Sequence, residues 1–164
     1  MPAANPLVFI DTNILLYAHD SAAGRKRDEA AILLAGLWRE QRGALSVQVL
    51  QEFFVNVTRK IPKPLTLAQA RDVMRGYGPW VRGAITTAHV LRASEIMELA
   101  KLSFWDGLII ASAEAAGAEL LASEDLQHGQ TIAGVTVMNP FAATQTKRGK
   151  SGRSGQITPS VTGA

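Results

Sequence analysis

Two hydrophobic rhythms alternate along the chain. Short runs are apolar at every position, as in Leu7-Val-Phe-Ile10, and longer stretches carry apolar residues at three- and four-residue steps. A short run apolar on both faces suits a central strand of a parallel sheet covered by helices. The short runs predict strands over 7–10, 44–47, 84–86, 120–122 and 135–137. The stepped pattern predicts helices over 14–19, 22–41, 48–60, 66–77, 89–101 and 104–116. Gly43 stops the second helix, Pro62 lies past the third, Thr66 caps the fourth and Gly78-Pro79 ends it. The helix over 104–116 is apolar almost all round, which predicts burial. Strands separated by helices predict an α/β fold with a mostly parallel sheet.

Composition narrows the picture. The chain has 164 residues, 47% hydrophobic and 19% charged, which suits one globular domain. It has no cysteine, which excludes a disulfide scaffold, a cysteine-ligated metal and a cysteine nucleophile. No apolar run is long enough to span a membrane, and Met1-Pro-Ala-Ala-Asn-Pro6 puts no base ahead of the first apolar run. The protein is therefore expected in the cytoplasm, away from membranes. The net charge of +3 divides unevenly: Lys147, Arg148, Lys150 and Arg153 face no acid, while residues 1–146 hold thirteen bases and all fourteen acids. A single folded domain over 1–141 and a basic, disordered tail over 142–164 are expected. Such a tail hints at a polyanionic partner.

Four acids stand where an α/β fold gathers ligands, in the crevice outside the carboxyl ends of the strands. Asp11 ends the first strand and Asp125 follows the strand over 120–122. Asp106 opens the buried helix after Ser103, and Glu52 lies early in the helix after the second strand. Each also has a plain reading. Asp11 can cap the helix that follows it, and Ser103-x-x-Asp106 matches a capping box. Glu52 lies with Gln48, Asn56 and Arg59 opposite an expected buried stripe of Val47, Leu50, Phe54, Val57 and Ile61, so it reads either as a solvated face or as a cleft wall. Glu124 is an alternative to its neighbour Asp125. His19, His89 and His128 are scattered and read as structural or exposed.

Carboxylates that converge on one mouth repel, by about 4 kcal/mol at 4 Å and an effective dielectric of 20. They must take up protons or hold a cation. All-oxygen donors favour Mg²⁺ or Mn²⁺ over zinc, and such ions act on phosphates. The residues alone point to a metal-dependent phosphodiesterase or phosphatase.

Four segments occur in order: Phe9-Ile-Asp-Thr-Asn-Ile-Leu-Leu16, Gln51-Glu-Phe53, Phe104-Trp-Asp-Gly-Leu-Ile-Ile-Ala-Ser-Ala113 and Ser123-Glu-Asp-Leu-Gln-His-Gly129. Together they resemble the PIN-domain ribonucleases, and among them the VapC-type toxins of bacterial toxin–antitoxin pairs. The resemblance runs from about residue 7 to 141. It implies a three-layer α/β/α sandwich with a mostly parallel sheet of four or five strands. It implies catalytic acids at Asp11, Glu52, Asp106 and Asp125, with Asp11 and Asp106 as direct ligands of Mg²⁺ or Mn²⁺. It further implies an RNA substrate, an antitoxin that occupies the active-site groove, and a homodimer. The family commonly has alanine where Gly107 stands, a difference expected to be harmless; the basic tail lies outside the family pattern.

The alternatives fare worse. A haloacid-dehalogenase-type phosphatase needs a general acid two residues after its first Asp, where Asn13 stands. A Rossmann cofactor domain needs G-x-G-x-x-G after the first strand, and none follows. A non-catalytic PIN-like RNA-binding module would be expected to lose some of the four acids. A housekeeping RNA-processing nuclease would keep them, and would differ from a toxin in its genetic neighbours.

Overall fold

A computed structural model of the chain describes residues 5–142. The basic tail expected over 142–164 therefore lies, apart from Ala142, outside the described residues. The elements in order are β1 (Val8–Ile10), α1 (Thr12–His19), α2 (Arg25–Arg39), β2 (Gly43–Ala44), α3 (Val47–Arg59), α4 (Leu67–Tyr77), a 3-10 turn (Gly78–Trp80), α5 (Thr87–Ala100), α6 (Phe104–Ala115), β3 (Leu120–Ala122), β4 (Thr131–Ile132) and β5 (Val135–Met138). The strands form one sheet in the order β2-β1-β3-β5-β4, parallel except for β4 against β5. With helices on the sheet this is the three-layer α/β/α sandwich expected.

β1 sits inside the sheet because Val8, Phe9 and Ile10 are all apolar and all buried. From β1 the chain moves first to β2 on one side and later to β3 on the other. That reversal makes the β1/β3 boundary the switch point, where such sheets open a crevice. α6 packs on β3 and β5 and pairs with α5, while α1 bridges α2 and α3.

Several expected boundaries move, each for a local reason. α1 begins at Thr12 because the Asp11 carboxylate caps it. α2 begins at Arg25 rather than at 22: Asp20 accepts a hydrogen bond from the Ala22 N–H at 2.9 Å, and Gly24 takes φ +59°. That turn needs the freedom of glycine.

The strand expected over 44–47 is Gly43–Ala44 alone, since Ser46 is the residue at which α3 starts and Val47 is already helical. Gly43 is more than a helix stop. A Cβ there would meet the Trp80 ring at 2.4 Å. No strand forms over 84–86; Leu45 bridges Val81 instead, and Thr86 caps α5 with His89 in a capping box. β4 was not expected. Its turn to β5 places Ala133 and Gly134 at φ +51° and +78°, the left-handed pair of a tight hairpin, but without the Asn-Gly or Asp-Gly that usually signals one.

The buried side of α3 is Gln48, Val49, Phe53 and Val57, with Val47 39% exposed. The helix is thus turned by nearly one residue from the expected stripe. Glu52 moves from the opposite face to the flank of the buried side.

Gly107 lets α6 press against α5. A Cβ there would lie 2.6 Å from the Ala93 backbone oxygen. The obstacle is helix backbone, which cannot swing aside, so the approach of α6 to α5 in this chain is built around glycine.

Candidate active site

All four expected acids line one cleft of ≈ 180 Å³ at the carboxyl edge of the sheet. Asp11 is the best held. Its backbone N–H donates to Ala122 across the β1/β3 boundary at 3.0 Å. One carboxylate oxygen accepts from the Thr12 N–H and the other from the Ser123 hydroxyl, both at 2.7 Å. Asp11 is only 6% exposed. Burial lifts its pKa from the ordinary 3.8 to about 6, against the pull of the Ser123 and Thr12 bonds; the charges of Asp125 and Asp106 push it the same way as burial. The capping role of Asp11 is real, yet a cap alone does not require a carboxylate buried beside two others.

Asp106 enters from the first turn of α6. Only half of the expected capping box forms: the Ser103 hydroxyl accepts from the Asp106 N–H at 3.1 Å. The Asp106 carboxylate makes no hydrogen bond among the described residues. It stays available to a ligand.

Glu52 and Asp125 are positioned by residues from other elements. Glu52 accepts from the Thr12 hydroxyl at 2.9 Å and from the Gln48 side-chain amide at 2.9 Å. The same Gln48 amide donates to the Trp105 carbonyl at 3.2 Å, tying α3 to the start of α6. Asp125 accepts from the Asn13 side-chain amide at 2.8 Å, and its own N–H donates to the Ser123 hydroxyl at 3.2 Å. Ser123 therefore braces two of the acids at once. Glu124 is engaged elsewhere. It pairs with Lys26, whose ammonium lies 4.9 Å from the centre of the Tyr17 ring, and it does not line the cleft.

Sequence reasoning did not single out Thr12, Asn13, Gln48 and Ser123 as positioning groups. Ser123 carried a readable signal, a hydroxyl immediately after a strand that ends at the ligand edge. Gln48 did not, because its burial follows from the rotation of α3. The histidines sit outside the cleft. His19 faces the Tyr77 hydroxyl at 3.2 Å, His89 belongs to the α5 cap, and His128 accepts from the Asn139 N–H at 3.0 Å.

The donors in the cleft are hard oxygens. Among the described residues no three His, Asp or Glu side chains form a ready-made ion cage. Hard oxygen donors fit Mg²⁺, which keeps several waters and is usually held by one or two carboxylates plus substrate phosphate. A carboxylate raised in pKa by burial, and further by two like charges, is a group that a cation would relieve.

The PIN domain family model matches residues 8–131. The chain belongs to that family. Its fold is similar to VapBC2 from Rickettsia felis, solved bound to a DNA fragment from its promoter: 19% identity, TM-score 0.57, covering 81% of this chain and 98% of that one. It is also similar to Mycobacterium tuberculosis VapC20, a toxin that cleaves the sarcin–ricin loop: 21% identity, TM-score 0.52, covering 70% of this chain and 86% of that one. No curated protein matches the chain. Among the described residues no helix is long and apolar enough to cross a membrane.

Proposed function

We propose that the chain is a Mg²⁺- or Mn²⁺-dependent endoribonuclease and the toxin of a toxin–antitoxin pair. The observation that carries the reading is the convergence of Asp11, Glu52, Asp106 and Asp125 on one cleft at the switch point of a PIN fold. Asp11 and Asp106 would hold the ion. An ion held there would supply Lewis-acid chemistry: polarisation of a phosphoryl oxygen and a lower pKa for attacking water. Asp11 is presented rigidly, since Thr12 and Ser123 each fix one of its oxygens. Glu52 has both oxygens oriented but keeps lone pairs to orient a water and take its proton. Asp125, braced by Asn13, borders the cleft from the far side of the switch point. The likeness to VapC20 and VapBC2 supports the toxin reading and an antitoxin partner; an antitoxin seated in the acid groove and a homodimer are part of the proposal.

The direct test is cleavage of single-stranded RNA by purified protein, active with Mg²⁺ or Mn²⁺ and silent in EDTA. Expression in a bacterial host should arrest growth, and Asp11→Ala should relieve the arrest. Cleavage without arrest would favour a processing nuclease over a toxin.

Glu52 has its own expected outcome. Glu52→Gln keeps the shape and one acceptor oxygen but loses the charge. Cleavage should fall at least about tenfold, the low end of general-base contributions being larger still. Thermal stability should drop by about 1 kcal/mol or less, the size of one hydrogen bond. Unchanged cleavage would return Glu52 to a structural role.

A further inference from the structure

The acid cleft opens into a second depression along α3. It has a volume of ≈ 390 Å³ and shares Gln48, Glu52, Asn56 and Trp105 with the cleft. Lys60 lies in its wall, eight residues and about 12 Å of helix beyond Glu52. Lys60 is exposed and makes no ion pair among the described residues. Trp105 stands between the two spaces, directly before Asp106, and is 63% exposed. The other two tryptophans pack on each other at 5.5 Å, and Trp80 is buried. The position of Trp105 is fixed despite its exposure. Its carbonyl holds the Gln48 amide, and the Phe104 ring meets its ring edge-on at 5.3 Å.

A large aromatic left in water beside an acid cleft contributes little to folding, so its surface is available to a ligand. Because the two spaces share a wall, a molecule lying in the depression also reaches the acids, and the substrate is the molecule that must do so. We propose that Trp105 is a stacking platform for the base next to the scissile bond of single-stranded RNA, and that Lys60 contacts a backbone phosphate further along. This rests on the nuclease reading above. Stacking tolerates any base, since every base offers a π-face. Lys60 would contribute counterion release of about 0.7 in the slope of log affinity against log salt.

The experiment uses the full chain, a single-stranded RNA oligomer, and the same oligomer carrying abasic positions. Cleavage kinetics are measured with Mg²⁺ and binding by anisotropy in EDTA. Trp105→Ala should raise KM about 5–150-fold, the range of one lost base stack, with a smaller change in kcat. Trp105→Phe should recover most of the loss. The abasic oligomer should bind wild type and Trp105→Ala alike. Lys60→Ala should flatten the salt slope of RNA binding by about 0.7, and an unchanged slope would remove Lys60 from the proposal. Wild-type cleavage with an unchanged KM in Trp105→Ala would overturn the platform and leave the nuclease standing, as would failure of Trp105→Phe to rescue. Wild type that cleaves no RNA would remove the nuclease reading and the platform with it.

Discussion

Asp11→Asn should abolish RNA cleavage, by more than about 100-fold, and at the same time make the metal-free protein more stable. Even groups that only support metal ligands typically cost 10–100-fold when removed, so a direct ligand should cost more. The stability gain follows from burial. The folded protein holds the Asp11 proton more tightly than the unfolded chain, with its pKa raised from 3.8 to about 6. Ionising it therefore costs stability: the cost is absent below about pH 3.8, grows as the pH rises, and is complete somewhat above pH 6. At neutral pH it amounts to about 3 kcal/mol at most. Asparagine carries no such cost and can still accept from the Thr12 N–H. Thermal melts in EDTA should thus place Asp11→Asn above wild type at pH 7.5 and bring the two together near pH 4. Mg²⁺ should raise the melting temperature of wild type but not of the variant. Asp106→Asn should lose cleavage equally without the stability gain, because its carboxylate is only partly buried. Equal melting of wild type and Asp11→Asn at both pH values would show that the buried charge is relieved by something other than a cation.

The parts of this fold legible in the sequence were those set by local chemistry. β1 could be read because three consecutive apolar residues need cover on both faces, and Asp11 because a polar residue must follow where the strand leaves the sheet. The Thr66 cap was legible from a hydroxyl residue ahead of a helical stretch, and the structure completes it as a capping box with Gln69. What escaped depended on distant partners. The rotation of α3 buries Gln48, whose partner, the Trp105 carbonyl, lies 57 residues away. β4 depends on a hairpin in which Ala133 accepts a left-handed conformation that its sequence does not advertise. Of the site, the acids were visible and their supports were not. A carboxylate announces its chemistry, whereas Ser123 and Asn13 matter only because folding brings them to Asp11 and Asp125.

Gly107 is the sharpest case of a residue whose meaning lies in its partner, and alanine there should damage the site without touching an acid. Two effects oppose. Alanine favours the helix over glycine by about 1 kcal/mol. Forcing a methyl into a packed contact costs about 1–3 kcal/mol. At 2.6 Å from the Ala93 oxygen the contact is with α5 backbone, so relief comes only by moving one helix away from the other. The clash should win, lowering the melting temperature by a few degrees. The larger consequence is positional. Asp106 is the preceding residue, and α6 carries it into the cleft together with the Trp105 carbonyl that holds Gln48. A shift approaching 1 Å at a reacting group can cost about 100-fold in rate. Gly107→Ala should therefore lose roughly 10–100-fold in cleavage while its melt stays cooperative. Gly36→Ala, on α2 with nothing within 4 Å of the added methyl, serves as the control and should keep full activity with equal or higher stability. Wild-type cleavage and melting in Gly107→Ala would mean that α6 yields freely against α5, and that Asp106 is held by its own first turn rather than by the helix pair.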